Sequence, residues 1–388
     1  EKTDSMLWQT GPRNTEEEKE RRAKQRQQEQ EMAPYLVGFV VFIVVIVVSL
    51  LVWYHPHIEF HKAPKSKHDF TLQEVHEHLE NHTLLHIGGL HRSGTTLLAD
   101  ILGKHPSAAG LKFQGGDARG KAQILKKTYN EGIFLQSVYP KFGLDHDKFL
   151  FRKWIGQAAK MIFPEGTFSW MRLREGVGRF ALHPRHQLDD SAGLIHPKAQ
   201  EHLFNEWALF WDLSKPVLVE KSPSNMVISP FLHRLWGLGV AASPAKFIFV
   251  QRHPIPVSLA TQRRAGAIVS DLSLADLVEN WVAAEERRAK HVESYFEYYE
   301  PGRDIYKIVQ MEDILSEPRK VLVGILRWLG LPQSEELLLE FEGQIRPDQN
   351  LHYFKAYCNG LVRGGNKVLD AHHKLIVRFR DRVLKVSH

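Results

Sequence analysis

The stretch LLHIGGLHRSGTTLLADIL, residues 84–102, constrains the fold more than any other part of the chain. A short apolar run ends at Gly88 and Gly89, which suits a buried strand. Thr95–Leu102 then carries apolar residues at helical spacing before Gly103 and Pro106. Gly89 and Gly94 frame four residues, matching the opening of the phosphate-binding pattern GxxxxGK followed by Ser or Thr. A strand, a glycine-containing loop and a helix start together aim backbone N–H groups at an anion, and Thr95 and Thr96 add hydroxyl donors. Thr95 stands where that pattern places its ATP-binding lysine, and the cation of this loop is Arg92. The missing lysine argues against an ordinary ATPase or kinase. An arginine fork suits a bidentate grip on phosphate or sulfate.

Val217–Glu220, Lys246–Gln251 and Asp304–Gln310 read as further strands, with helical patterns over Leu274–Tyr299 and Pro318–Leu329. Strands alternating with helices predict an α/β, P-loop-like three-layer fold with a mostly parallel central sheet. Ligands of such sheets bind beyond the carboxyl ends of the strands. Two more segments lie there. FIFVQRHPIPVSLATQ, residues 247–262, delivers Arg252 at the end of a strand, and VLVEKSPSN, residues 217–225, does the same for Lys221. Each has a plainer reading: Arg252 caps its strand or pairs with a surface acid, and Lys221 is a solvated lysine at a strand end.

These segments resemble the sulfotransferase superfamily. GGLHRSGTTLL is similar to its 5′-phosphosulfate loop, in the RSGTT form of tyrosylprotein sulfotransferases and related membrane-bound enzymes. The resemblance implies that Arg92, Ser93, Gly94, Thr95 and Thr96 hold the 5′-phosphosulfate of 3′-phosphoadenosine 5′-phosphosulfate. In the family an arginine and a serine eight positions later bind the donor's 3′-phosphate. Arg252 fits, but the eighth position is Ala260, so Thr261, or Ser258, is expected to substitute. The EKSP segment implies that Lys221 stabilises charge on the sulfuryl bridge oxygen. IVQMEDILSEPRKVLVGILRWLGLP, residues 308–332, is similar to the family's YEDL segment, with Met311 in place of the frequent tyrosine. The likeness spans roughly residues 84–332.

Sulfuryl transfer to a hydroxyl needs cations around the sulfuryl oxygens and a base for the acceptor proton. The family needs no divalent metal, and no metal-ligand spacing stands out. Tyrosylprotein sulfotransferases carry a Glu-Glu pair after the His-Pro that follows the loop helix, but here SAAGLKFQGGD follows His105-Pro106. YNEGIFLQSVYP, residues 129–140, is instead similar to the DEGQxLQ segment of a less characterised branch. Glu131 is therefore the first candidate base, Asp117 the second and His91 a third. The missing pair shifts the expected acceptor from protein tyrosine toward a glycan hydroxyl. Two other readings stay open: a P-loop nucleotide kinase or NTPase, and a catalytically inactive sulfotransferase-like binding protein.

Upstream, no residue between Glu31 and His55 is charged, and residues 34–54 read as one transmembrane helix. About 20 apolar residues at 1.5 Å rise cross a hydrocarbon core of about 30 Å. A secretory signal peptide is the competing reading; it has a shorter apolar core and less sequence ahead of it. The basic excess before the span predicts a cytoplasmic tail over 1–33, a stem over 55–82 and a lumenal sulfotransferase domain over 83–388. A single-pass type II protein of the Golgi membrane follows, with the membrane and a glycan or protein acceptor as partners and no nucleic acid. The glycosylation pattern Asn81-His82-Thr83 agrees with a lumenal face. His76, His78 and His82 are read as part of a solvated stem. The single cysteine, Cys358, rules out an intrachain disulfide. The net charge of +6 suits an anionic ligand without identifying one.

Overall fold

The computed structural model of the protein describes residues 20, 21, 24, 69–112, 131–141, 178–182, 186–265, 274–298 and 304–359. The apolar run 34–54, most of the expected tail and stem, and Asp117 lie outside the described residues. Among the described residues no helix is long and apolar enough to cross a membrane. Residues 1–65 form one unit and Ser66–His388 another; the second holds the sheet.

In that unit helix α1 (Leu72–Asn81) leads into β1 (Thr83–Gly89), α2 (Thr95–Leu102) and β2 (Ala108–Gly110). Then come α3 (Pro197–Ala208), β3 (Val217–Lys221), α4 (Asn225–Trp236), β4 (Ala245–Gln251), α5 (Pro254–Ala265) and α6 (Leu274–Tyr298). The unit continues through β5 (Tyr306–Gln310), α7 (Met311–Ser316), α8 (Pro318–Trp328) and α9 (Glu335–Gln344) to a helical segment over 349–359. The sheet has order β2-β3-β1-β4-β5, and every neighbouring pair is parallel. The expected parallel α/β sheet is the one observed.

Strand residues alternate between faces, so each strand feeds two apolar layers. Leu84, Leu218, Phe247 and Phe249 belong to a core built with Val75 of α1, Trp207 of α3, Phe231 of α4 and Trp281 of α6. Leu85, Ile87, Val219 and Ile248 belong to the opposite core, with Leu98 of α2, Ile314 of α7, Leu322 of α8 and Phe341 of α9. The result is helices on both faces of one sheet, the expected three layers. Helix α8 shows how the sequence directs this: Leu322, Ile325 and Leu326 lie on one helical stripe and are fully buried. Each contributes about 1.5–3 kcal/mol by burial.

The stem ends earlier than the sequence suggested. Residues 72–81 form α1, started by a reciprocal capping box between Thr71 and Glu74. Val75 and Leu79, one turn apart, are buried in the core, so this helix belongs to the domain. Its charged outer face masked a stripe only two residues wide. The histidines there are likewise engaged: His76 meets Gln200 Oε1 at 3.0 Å, and His82 Nε2 meets the Leu213 carbonyl at 2.9 Å.

Candidate active site

The site is assembled where the sheet changes direction. From β1 the chain moves toward β2 and β3 on one side, whereas from β4 it moves to β5 on the other. A crevice opens between diverging loops of this kind. Residues 90–94 follow β1, and Arg252 follows β4. Arg252 Nη1 donates to the Arg92 carbonyl at 2.8 Å and so ties the two loops together.

The loop after β1 is tightly specified. Arg92 takes a left-handed conformation with φ 73°, unusual for a side-chain-bearing residue, and Gly94 has φ 110°. A methyl group on Gly94 would lie 2.6 Å from Met311 Sδ, and one on Gly89 would lie 2.6 Å from the Val250 carbonyl oxygen. Met311 thus packs beneath the loop, where the family's tyrosine is frequent; it is 3% exposed. Gly94 caps α2, whose first-turn N–H groups point out of the helix start. Ser93 is buried, and its Oγ has no hydrogen-bonding partner among the described residues. A buried hydroxyl of this kind beside a helix N-terminus fits an anionic group. Thr95 is buried, whereas Thr96 is exposed.

Lys221 ends β3 and is paired to β1 through Ile87. The strand end is stitched to the loop: Gly89 N–H donates to the Pro223 carbonyl at 3.2 Å, and Asn225 Nδ2 donates to the Ile87 carbonyl at 3.2 Å. Lys221 is 4% exposed, not solvated. Its Nζ donates to Glu131 Oε1 at 2.7 Å. Two residues singled out separately in the sequence, 90 positions apart, are therefore partners.

His91 sits in the field of the same cations. Burial, then the charges of Lys221 and Arg92, push its imidazole down to about 3. A base that weak is badly matched to proton abstraction near neutrality, which argues against the third candidate. Asp117 lies outside the described residues, so Glu131 is the candidate base with an observed position.

Arg252 is buried and occupied. Besides the Arg92 carbonyl, its Nε and Nη2 both donate to Asn350 Oδ1, at 2.9 and 2.6 Å. Asn350 Nδ2 in turn donates to Glu312 Oε1 at 2.7 Å, and Tyr353 lies 5.6 Å from the guanidinium. Burial pulls this arginine below its ordinary value, with Glu312 and Tyr353 opposing. Thr261 Oγ1 donates to the His91 carbonyl at 3.3 Å, so it braces the loop backbone. Ser258 is fully buried, and its Oγ has no partner among the described residues. Of the two substitutes considered for the serine absent at Ala260, Ser258 is the one with an uncommitted hydroxyl.

Sequence reasoning missed Asn350, because helix 349–359 follows the last recognised motif. It also missed Glu220, the charged residue in the apolar strand VLVEK, which is fully buried. The signal was present: alternation along β3 points Glu220 into the sheet's other face, with Leu218.

A family model described as "Sulfotransferase family" matches residues 85–335. No curated protein matches the chain. Among solved structures, the sulfotransferase STF1 from Mycobacterium tuberculosis is 15% identical, with 70% of this chain and 74% of that one covered and a TM-score of 0.38. The sulfotransferase STF9 from Mycobacterium avium is 14% identical, covering 70% of each chain at a TM-score of 0.37. A sulfotransferase domain from the curacin biosynthetic pathway is 18% identical, covering 66% and 76% at a TM-score of 0.34. With its glycine-framed loop, the lysine at the end of β3 and the arginine after β4 all inside the matched region, this chain belongs to the sulfotransferase family.

Proposed function

We propose that the protein transfers a sulfuryl group from 3′-phosphoadenosine 5′-phosphosulfate to a hydroxyl, with a glycan favoured over protein tyrosine. The observation that carries this reading is the Lys221–Glu131 pair, 2.7 Å apart, beside the loop after β1. The donor supplies the sulfuryl group as a mixed anhydride with phosphate. Arg92, Ser93, Gly94, Thr95 and Thr96 hold its phosphosulfate end, and the buried Ser93 hydroxyl supports that role. Arg252 braces the loop through the Arg92 carbonyl, and with Ser258 it takes the 3′-phosphate in exchange for Asn350. Lys221 neutralises charge on the bridge oxygen, and Glu131 accepts the proton of the acceptor hydroxyl. Thr95 in place of a lysine disfavours the kinase alternative.

The preference for a glycan rests on the Glu-Gly-containing segment at 131–132, which stands in for the Glu-Glu pair of tyrosylprotein sulfotransferases. The run 34–54 anchors the protein as a single-pass type II protein of the Golgi membrane, with the domain lumenal; its uncharged length supports this. The test has two parts. Calorimetry is expected to find binding of 3′-phosphoadenosine 5′-phosphate without magnesium and far tighter than ATP; magnesium-dependent ATP binding would refute the reading. Labelled sulfate offered with glycans, tyrosyl peptides and small alcohols then identifies the acceptor, and labelling of tyrosyl peptides alone would overturn the glycan preference.

A further inference from the structure

The pairing of Glu131 with Lys221 depends on a turn that has no strand to hold it. Strand β2 pairs with β3 only through Val219, so the last residues of β3 extend beyond its end. The short helical turn Gly132–Phe134 lies there, with Glu131 as its first flanking residue. Three hydrogen bonds dock it. Gly132 N–H donates to Glu220 Oε1 at 3.0 Å, Ile133 N–H donates to Ser222 Oγ at 2.9 Å, and Trp207 Nε1 donates to the Gly132 carbonyl at 3.0 Å. Two of the three acceptors flank Lys221 directly in the chain.

Glu220 is the centre of this dock. Its carboxylate is fully buried and surrounded by donors on both oxygens. Oε1 also accepts from Ser222 Oγ at 2.5 Å; Oε2 accepts from Asn225 Nδ2 at 2.6 Å and meets His86 Nδ1 at 3.2 Å. A buried carboxylate is costly unless its lone pairs are satisfied, and here four protein groups satisfy them. The contact is close enough to require glycine: a methyl group on Gly132 would lie 2.5 Å from Glu220 Cγ. Gln136 rigidifies the far side of the turn, donating to the Ile133 and Tyr139 carbonyls at 3.1 and 2.8 Å. Alternation along β3 sends Glu220 and Lys221 to opposite faces, so one strand end touches the turn twice, by the Glu220 carboxylate on Gly132 N–H and by the Lys221 ammonium on Glu131.

We infer that Glu220 is a positioning residue: its buried carboxylate holds the 131–134 turn so that Glu131 reaches Lys221. The inference rests on the roles proposed above for those two residues, but its geometry can be tested apart from them. Glu220→Gln keeps the size and replaces one acceptor oxygen with an amide, which leaves either the turn or the Asn225 and His86 side without its acceptor. The full-length protein is treated with acetic anhydride, and Lys221 acetylation is followed by peptide mass spectrometry. Lys221 is expected to be slow in the wild type and in Glu131→Gln, where the turn stays docked, and to speed up in Glu220→Gln, where it is released. In transfer assays Glu220→Gln is expected to lower kcat about 10- to 100-fold. The donor KM and the affinity for 3′-phosphoadenosine 5′-phosphate should stay within about twofold. The double variant should be no slower than Glu131→Gln alone, because both changes disable one unit.

Wild-type protection of Lys221 in Glu220→Gln would overturn the inference, as would full additivity in the double variant. Parallel loss of nucleotide affinity would also overturn it, because a general structural defect would then explain the effect. If Glu220→Gln does not fold, Gly132→Ala perturbs the same dock from the turn side and must give the same labelling. Wild-type turnover in Glu131→Gln would remove that residue from the chemistry, while the labelling would still decide the docking.

Discussion

Removing either member of the Lys221–Glu131 pair leaves a different charge behind, and the structure predicts that the two losses are unequal. The Lys221 side chain is 3% exposed and that of Glu131 is 16% exposed. At their 2.7 Å separation the direct attraction is about 6 kcal/mol for an effective dielectric of about 20, most of it offset by lost hydration. Glu131→Gln keeps an acceptor oxygen in place but leaves an ammonium that water cannot reach. Stranding a buried charge in this way costs about 3–5 kcal/mol, and the retained hydrogen bond puts this case at about 3. Lys221→Met leaves a carboxylate that can turn toward solvent, a loss of about 1 kcal/mol. For a domain of this size the melting temperature should fall by about 6 °C and about 2 °C respectively. Thermal unfolding followed by circular dichroism measures both shifts, and urea unfolding the free energies behind them. Equal losses, or a larger loss for Lys221→Met, would refute the burial argument.

Three other outcomes are expected. His91 and His291 are each pushed down to about 3, by burial first and then by neighbouring cations, so both are neutral in the fold. Their folded values lie below the unfolded value of about 6.5, so stability is full above that pH and falls as pH drops toward about 3. His91→Gln should remove about 1.4 kcal/mol per pH unit from that slope, measured as denaturant midpoints from pH 7 to 4; an unchanged slope would contradict the assignment. Gly94→Ala meets Met311 Sδ at 2.6 Å with φ 110°, so stability should fall by about 1–3 kcal/mol and nucleotide affinity by at least about tenfold. Calorimetry showing wild-type affinity would mean that the loop tolerates the shift. Arg252→Lys cannot reach both Asn350 and the Arg92 carbonyl, and should weaken nucleotide binding about tenfold and lower stability by about 1–3 kcal/mol. Unaltered binding would exclude Arg252 from the donor site.

The sequence by itself determined the parallel α/β sheet and the position of the anion loop. Those features are written locally: apolar runs of strand length, Gly89 and Gly94, and a helix start lie within one continuous segment. The cations at the strand ends, Lys221 and Arg252, were legible for the same reason. Partnership was not legible, because it depends on which strand ends meet in space. That Glu131 faces Lys221 follows from the order β2-β3-β1-β4-β5 and from the short reach of β2, neither of which leaves a local signature. The same holds for Asn350 on Arg252 and for α1 in the core, where a stripe of two apolar residues was outweighed by its polar neighbours. The role of Glu220 was the least visible. An acidic residue in a strand reads as exposed until tertiary structure surrounds it with four donors, and only that enclosure makes a buried carboxylate tolerable.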